Sequence, residues 1–152
     1  MATCAAVNPV RLALVDDFSM VRDGLRHIFD DSCEAAVTME ACTGAQALDL
    51  LRQQSVDVAV VDLSLPGMSG LELIQRLQRE HPAVGIIALS LHAEAPYARR
   101  AFAAGARGYV TKDRAYVDMP TAVREVAAGG TYLSASLLQV PGDGVNPASG
   151  SH

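Results

Sequence analysis

No apolar run in this chain approaches the roughly 18 residues that a membrane-spanning helix needs. Helical membrane proteins are excluded on that ground, and no membrane partner is expected. The first residues, Met1 to Val10, carry no basic stretch ahead of their few alanines and are too short for a secretion signal. The expected address is therefore cytoplasmic. Cysteine is scarce and odd in number, at Cys4, Cys33 and Cys42, with no CxxC spacing and no accompanying histidines. That pattern fits neither a disulfide framework nor a zinc site. His27, His81, His92 and His152 show no ligand spacing of their own. There is no excess of positive charge: the net charge is −5. Nothing electrostatic draws this chain to nucleic acid, and none is expected to bind it alone. No GxGxxG follows the first apolar run, no GxxxxGK[ST] loop exists, and no GxSxG elbow exists. Dinucleotide-binding, P-loop and hydrolase-elbow chemistries are thereby disfavoured. Lysine is nearly missing as well. Of twelve basic residues only Lys112 is a lysine. A genome-wide codon bias would account for that, yet it leaves a single ammonium group whose position matters.

What the chain does have is half its residues apolar over a length of 152. That is enough for one well-buried domain. Five short apolar runs read as strands: Val10–Val15, Ala36–Ala41, Val56–Val61, Val84–Leu89 and Gly108–Thr111. Three of these are nearly continuous rather than alternating, which is the mark of strands covered on both faces. Helical spacing lies between them. Val21, Leu25 and Ile28 line a first helix, Ala47, Leu48 and Leu51 a second, and Leu71, Ile74 and Leu77 a third. Thr43-Gly44-Ala45-Gln46 and Ser69-Gly70-Leu71-Glu72 are capping boxes that place two helix starts. Pro96 suits the first turn of a fourth helix, and Gly105 its end. The fifth helix is expected to begin at Asp118 as N-cap, since Pro120 would break a helix interior, and to end at Gly129-Gly130.

The expectation is an α/β fold, a doubly wound five-stranded parallel sheet of the (βα)5 kind. Residues 1–9 would form an N-terminal arm and 10–130 the domain. Residues 131–152 would be an extension and flexible tail. Within it, Thr131–Val140 is expected either to form a short extra helix or to lie along the domain. No DNA-binding domain is expected within the chain.

In such a sheet the chemistry gathers at the carboxyl ends of the strands. Asp16 and Asp17 follow the first strand. Asp62 ends the third, Ser90 the fourth, and Lys112 the fifth, with Tyr109 three residues before it. Each has an ordinary alternative. Aspartates start turns, Ser90 could cap a helix, Lys112 could be a solvated surface charge, and Tyr109 could be packing. Their coincidence at one edge is what points to a site. Three carboxylates repel one another, and an all-oxygen set suits Mg²⁺. An ammonium opposite them suits an anionic ligand. Together they suit transfer of a phosphoryl group onto a carboxylate.

The segments LVDDFSMVRDGL (14–25), VVDLSLPGMSGLELI (60–74), ALS (88–90) and GARGYVTKD (105–113) resemble the receiver domains of two-component response regulators, a flavodoxin-like fold. EACTGAQAL, GARGYVTKD and VREVAAGGTYLS are similar to the LuxR/NarL-type subfamily. The resemblance covers about residues 10–130 and implies roles. Asp62 would be the phosphoacceptor, loaded by a sensor histidine kinase. Asp16, Asp17, Asp62 and the backbone carbonyl of Ser64 would serve Mg²⁺, and Lys112 would pair with the phosphoryl oxygens. Ser90 and Tyr109 would be the switch pair, Tyr109 turning inward as Ser90 moves toward the phosphoryl group.

The resemblance further implies a signalling phosphoacceptor that catalyses only its own phosphorylation and dephosphorylation, a homodimer that tightens on phosphorylation, and control of a transcriptional output. Two local departures stand out: Phe18 where the subfamily commonly has histidine, and Pro120, which puts a helix-one/helix-five dimer face in question. A pseudo-receiver acting without phosphorylation is the competing reading. A haloacid dehalogenase-like phosphatase is disfavoured because Ser64, not an aspartate, stands two residues after Asp62.

Overall fold

The computed structural model describes residues 8–32 and 34–134. The chain alternates strand and helix: β1 (Val10–Val15), α1 (Ser19–Ser32), β2 (Ala35–Ala41), α2 (Gly44–Gln53), β3 (Val58–Asp62), α3 (Gly70–Glu80), β4 (Gly85–Ser90), α4 (Ala95–Ala104), β5 (Gly108–Thr111), a 3₁₀ turn (Lys112–Arg114), α5 (Ala115–Ala127) and β6 (Tyr132–Leu133). The strands are all parallel, in the order β2-β1-β3-β4-β5-β6.

Both faces of the sheet are covered, which explains the continuous apolar runs. Ala13, Val15, Ala59, Val61, Ile86, Ala88 and Tyr109 point to one side, against Leu48 and Leu51 of α2, Leu73, Ile74 and Leu77 of α3, and Ala98 and Ala101 of α4. Leu12, Leu14, Val58, Val60, Ile87, Leu89 and Val110 point to the other, against Leu25 and Phe29 of α1 and Met119, Val123 and Val126 of α5. The two capping boxes start their helices: Thr43 accepts from the Gln46 amide, and Ser69 from the Glu72 amide, each at 3.1 Å. The Gln46 side chain reaches back one residue further than expected, to the Cys42 amide at 2.7 Å.

Three expectations are corrected. First, β3 runs through Asp62 and β4 through Ser90, each one residue beyond the strand ends expected at Val61 and Leu89. Second, α5 begins at Ala115, not at Asp118, and Pro120 lies inside it. The missing Pro120 N–H costs the bond to the Tyr116 carbonyl. Tyr116 is half exposed. The same turn is clamped from the buried side, where Arg114 donates twice to the Asp118 carboxylate, both bonds at 3.1 Å. Asp118 is therefore a buried ion-pair partner and not a cap, and the proline does not interrupt the helix.

Third, the sheet has a sixth strand. Tyr132 and Leu133 pair with Gly108 and Tyr109 of β5, so the sheet has one strand more than the five expected, and of the two courses expected for this segment residues 132–133 lie along the domain. The open backbone edge that β5 would otherwise present accounts for it. The Tyr132 amide donates to the Arg107 carbonyl at 3.0 Å and the Ser134 amide to that of Tyr109 at 2.9 Å. Those carbonyls would otherwise be buried and unpaired. The rest of the expected tail, and residues 1–7 of the expected arm, lie outside the described residues. Among the described residues no helix is long and apolar enough to cross a membrane.

Candidate phosphoryl site

The carboxyl ends of β1, β3, β4 and β5 meet on one edge of the sheet. At three of them the chain leaves its strand by the same local device, a side-chain oxygen accepting the amide two residues on. Asp16 Oδ1 accepts from Phe18 N at 2.9 Å, Asp62 Oδ1 from Ser64 N at 2.9 Å, and Ser90 Oγ from His92 N at 3.0 Å. For Asp16 and Asp62 the turn-forming reading does not exclude the site-forming one, because a carboxylate has two oxygens. One shapes the turn and the other is left for the site.

The second oxygens differ in fate. Asp62 is wholly buried, and its Oδ2 accepts from Lys112 Nζ at 3.1 Å. Asp16 is buried too, but its Oδ2 has no hydrogen-bond partner. Asp17 is exposed beside them. One oxygen from each of Asp16, Asp17 and Asp62 can be chosen so that all three lie within 4.8 Å of one another. Burial pushes the Asp16 carboxyl up to about 6. The charges of Asp62 and Asp17 add to that, while the Phe18 amide and Lys112 act against it. An orphaned, buried oxygen inside an all-carboxylate cluster is the donor set a hard divalent cation satisfies, so the residues present fit Mg²⁺.

Lys112 is mostly buried, and its ammonium lies 5.6 Å from the centre of the Phe18 ring as well as against Asp62. Phe18 therefore does more than alter the rim: its amide orients Asp16 and its ring covers Lys112. Only the position after the acidic pair hinted at this. Ser90 and Tyr109 come together with the main chain of His92. Tyr109 is fully buried, pointing inward, and its phenol donates to the His92 carbonyl at 2.7 Å. Burial pushes that phenol up, with a Ser90 hydrogen bond acting against it. His92 in turn stacks on Tyr97 of α4, with ring centres 4.0 Å apart. The turn after β4 is thus joined through His92 both to Tyr109 and to α4.

Gly70 has a role that its place at a helix start did not reveal. A methyl group there would overlap the Asp62 carbonyl oxygen and stand 2.5 Å from Leu63 Cα. Only glycine lets α3 approach the backbone that carries Asp62. Gly70→Ala is expected to lower stability by about 1–3 kcal/mol through forced backbone movement. A urea midpoint equal to that of the wild type would refute this.

Comparison with known proteins agrees with the geometry. Residues 12–124 match the description "Response regulator receiver domain". Over 130 residues the chain is 36% identical to the response regulator UvrY of Escherichia coli (strain K12), covering 86% of this chain and 60% of that protein. It is 35% identical to the response regulator GacA of Pseudomonas viridiflava, covering 86% and 61%. The chain thus spans about three-fifths of the length of these curated relatives. Among solved structures, a LuxR-family two-component response regulator from Aurantimonas sp. SI85-9A1 superposes with a TM-score of 0.82 at 33% identity, covering 87% of this chain and 94% of that one.

Proposed function

The chain belongs to the response regulator receiver family, of the LuxR/NarL type, and from that premise we propose that it is a phosphorylation-driven switch with Asp62 as its acceptor. A signalling role, not turnover of an outside substrate, is what the family gives. The finer assignment rests chiefly on one observation: Asp62 is buried against Lys112 inside a carboxylate cluster in which Asp16 Oδ2 has no partner.

In this reading a sensor histidine kinase presents a phosphohistidine. The free electron pair of an Asp62 carboxylate oxygen attacks phosphorus, the P–N bond breaks, and the histidine nitrogen keeps that pair and takes up a proton. Asp16, Asp17, Asp62 and the Ser64 backbone carbonyl would hold Mg²⁺, which would supply positive charge to offset that of the phosphoryl group. Lys112 neutralises the remaining oxygens. It stays partnered throughout, moving from a carboxylate to an acyl phosphate. The Ser64 amide fixes the Asp62 carboxylate so that Oδ2 remains the reacting atom.

Ser90 then donates its hydroxyl hydrogen to the new phosphoryl group. The turn to His92 follows, and with it Tyr109 and α4. The consequence is a changed α4–β5–α5 surface, a homodimer that tightens on phosphorylation, and control of a transcriptional output.

Intact mass after incubation with acetyl phosphate tests this. The expected result is one added phosphoryl group with Mg²⁺ and none in chelator. No gain under either condition would favour a pseudo-receiver that works by interaction alone. Equal gain in chelator would remove the metal role.

A further inference from the structure

Lys112 is bracketed by two pins that meet in a single buried hydrogen bond. Before it, Thr111 ends β5 and stands as the N-cap of the 3₁₀ turn, yet its hydroxyl makes no capping bond. Thr111 instead turns to Ser134, just past β6. Its amide lies 3.3 Å from Ser134 Oγ, and so does its hydroxyl. After Lys112, Arg114 grips Asp118 with two of its guanidinium nitrogens, Nε and Nη2. The two pins join where Ser134 Oγ donates to Asp118 Oδ2 at 2.8 Å.

The proton count fixes the directions. Asp118, held below the usual carboxylate range despite its burial by the Arg114 and Ser134 hydrogen bonds, can only accept. Ser134 has one proton, and Asp118 takes it. The Thr111 amide and hydroxyl must both donate to the Ser134 oxygen, which is then saturated. Thr111, Asp118 and Ser134 are all buried, so loss of the Ser134 hydroxyl takes from the Thr111 amide and hydroxyl a partner that water does not readily replace.

The ring runs Thr111, Lys112, Asp113, Arg114, Asp118, Ser134 and back to Thr111. The backbone from which the Lys112 side chain springs is one arc of it. On the far side of β6, Ser134 Oγ takes the place of the next acceptor in the ladder, so the last residue of β5 remains paired at the point where the sixth strand stops.

We propose that Ser134, held by Asp118, is a positioning residue for Lys112, which makes the two-residue sixth strand a functional part of the phosphoryl site. This rests on the phosphoacceptor reading above and adds a group to it that touches neither phosphoryl oxygens nor metal. Asp16 and Asp17 follow β1 and Asp62 ends β3, across the sheet from β6, so the ring reaches the carboxylate cluster only through Lys112 and its bond to Asp62. That separation supplies the test.

Ser134→Ala and the nearly isosteric Ser134→Cys, whose thiol is a weak partner, should each slow loading from acetyl phosphate roughly tenfold while Mg²⁺ affinity by calorimetry changes far less than the rate. A second measurement uses the single lysine. Nitrogen-15 lysine labelling gives one lysine amide signal and one side-chain ammonium signal, both from Lys112, and both should move in each variant. Wild-type rates with unmoved lysine signals would overturn the proposal. So would a loss of rate matched by an equal loss of Mg²⁺ affinity, which would mean general loosening. A wild type that takes no phosphoryl group would sink the acceptor reading instead. The lysine signals would still decide whether Ser134 positions Lys112.

Discussion

Asp62→Asn is expected to abolish phosphorylation in a protein that remains folded. Acetyl phosphate with Mg²⁺ should add one phosphoryl mass to the wild type and nothing to the variant. Asparagine keeps the shape of aspartate and an oxygen to accept the Ser64 amide, so the turn after β3 should survive. What is lost is chemical. The amide oxygen is a poor nucleophile, and Lys112, 3.1 Å from the lost carboxylate oxygen, has no anion left to hold. Asp16 and Asp17 do not replace the missing acceptor. Asp17 is exposed, and it is Asp62 that the Lys112 ammonium bonds, so neither is aligned as Asp62 is. The effect should be complete rather than partial, because among the described residues no second carboxylate shares both the burial and the ammonium. Stoichiometric modification of the Asn variant would show that another residue is the acceptor.

The features legible in the sequence were those set by periodicity and topology. Continuous apolar runs announced a sheet covered on both faces. With all strands parallel, the carboxyl-end rule alone brings Asp16, Asp17, Asp62, Ser90 and Lys112 to one edge. The features that escaped depend on contacts distant in sequence or on a balance of local costs. Ser134 meets Thr111 and Asp118 across separations of 23 and 16 residues, and no periodicity encodes a two-residue strand. The start of α5 was misplaced because the rule against helix-interior proline was applied alone. The Arg114–Asp118 clamp and the 3₁₀ turn feeding the helix outweigh one missing bond. Gly70 was visible as a glycine, but the carbonyl it makes room for was not. Phe18 was noted as a departure, although its ring over Lys112 depends on how β1 and β5 sit across the sheet.

Asp16→Asn should make the cation-free protein more stable at pH 7–8 even as it weakens Mg²⁺ binding. The cause is the cost of keeping Asp16 ionised. Burial, joined by the charges of Asp62 and Asp17, raises its carboxyl to about 6 from an ordinary 3.8. The folded state therefore holds the Asp16 proton more tightly than the unfolded state does. For a raised carboxyl, stability is greatest below the unfolded value, falls as pH rises from 3.8 to about 6, and then stays low. The accumulated cost at neutral pH is on the order of 2–3 kcal/mol. Asparagine removes it. Its carbonyl can still accept the Phe18 amide, and its NH₂ group stands where Asp16 Oδ2 now has no partner, able to donate toward Asp62. The variant should melt several degrees above the wild type at pH 8, and the gap should close toward pH 4, where the wild-type carboxyl is neutral in the fold. Adding Mg²⁺ should reverse the order, because the cation stabilises the folded wild type in proportion to its affinity and the variant hardly at all. Melting temperatures at pH 4, 6 and 8, with and without Mg²⁺, decide it. A gap that is the same at every pH would mean that the gain is not electrostatic. A variant stabilised by Mg²⁺ as strongly as the wild type would remove Asp16 from the cation site. A site that lowers the stability of its own fold until a cation arrives is what a metal-dependent switch requires, and the orphaned oxygen of Asp16 is where that cost is concentrated.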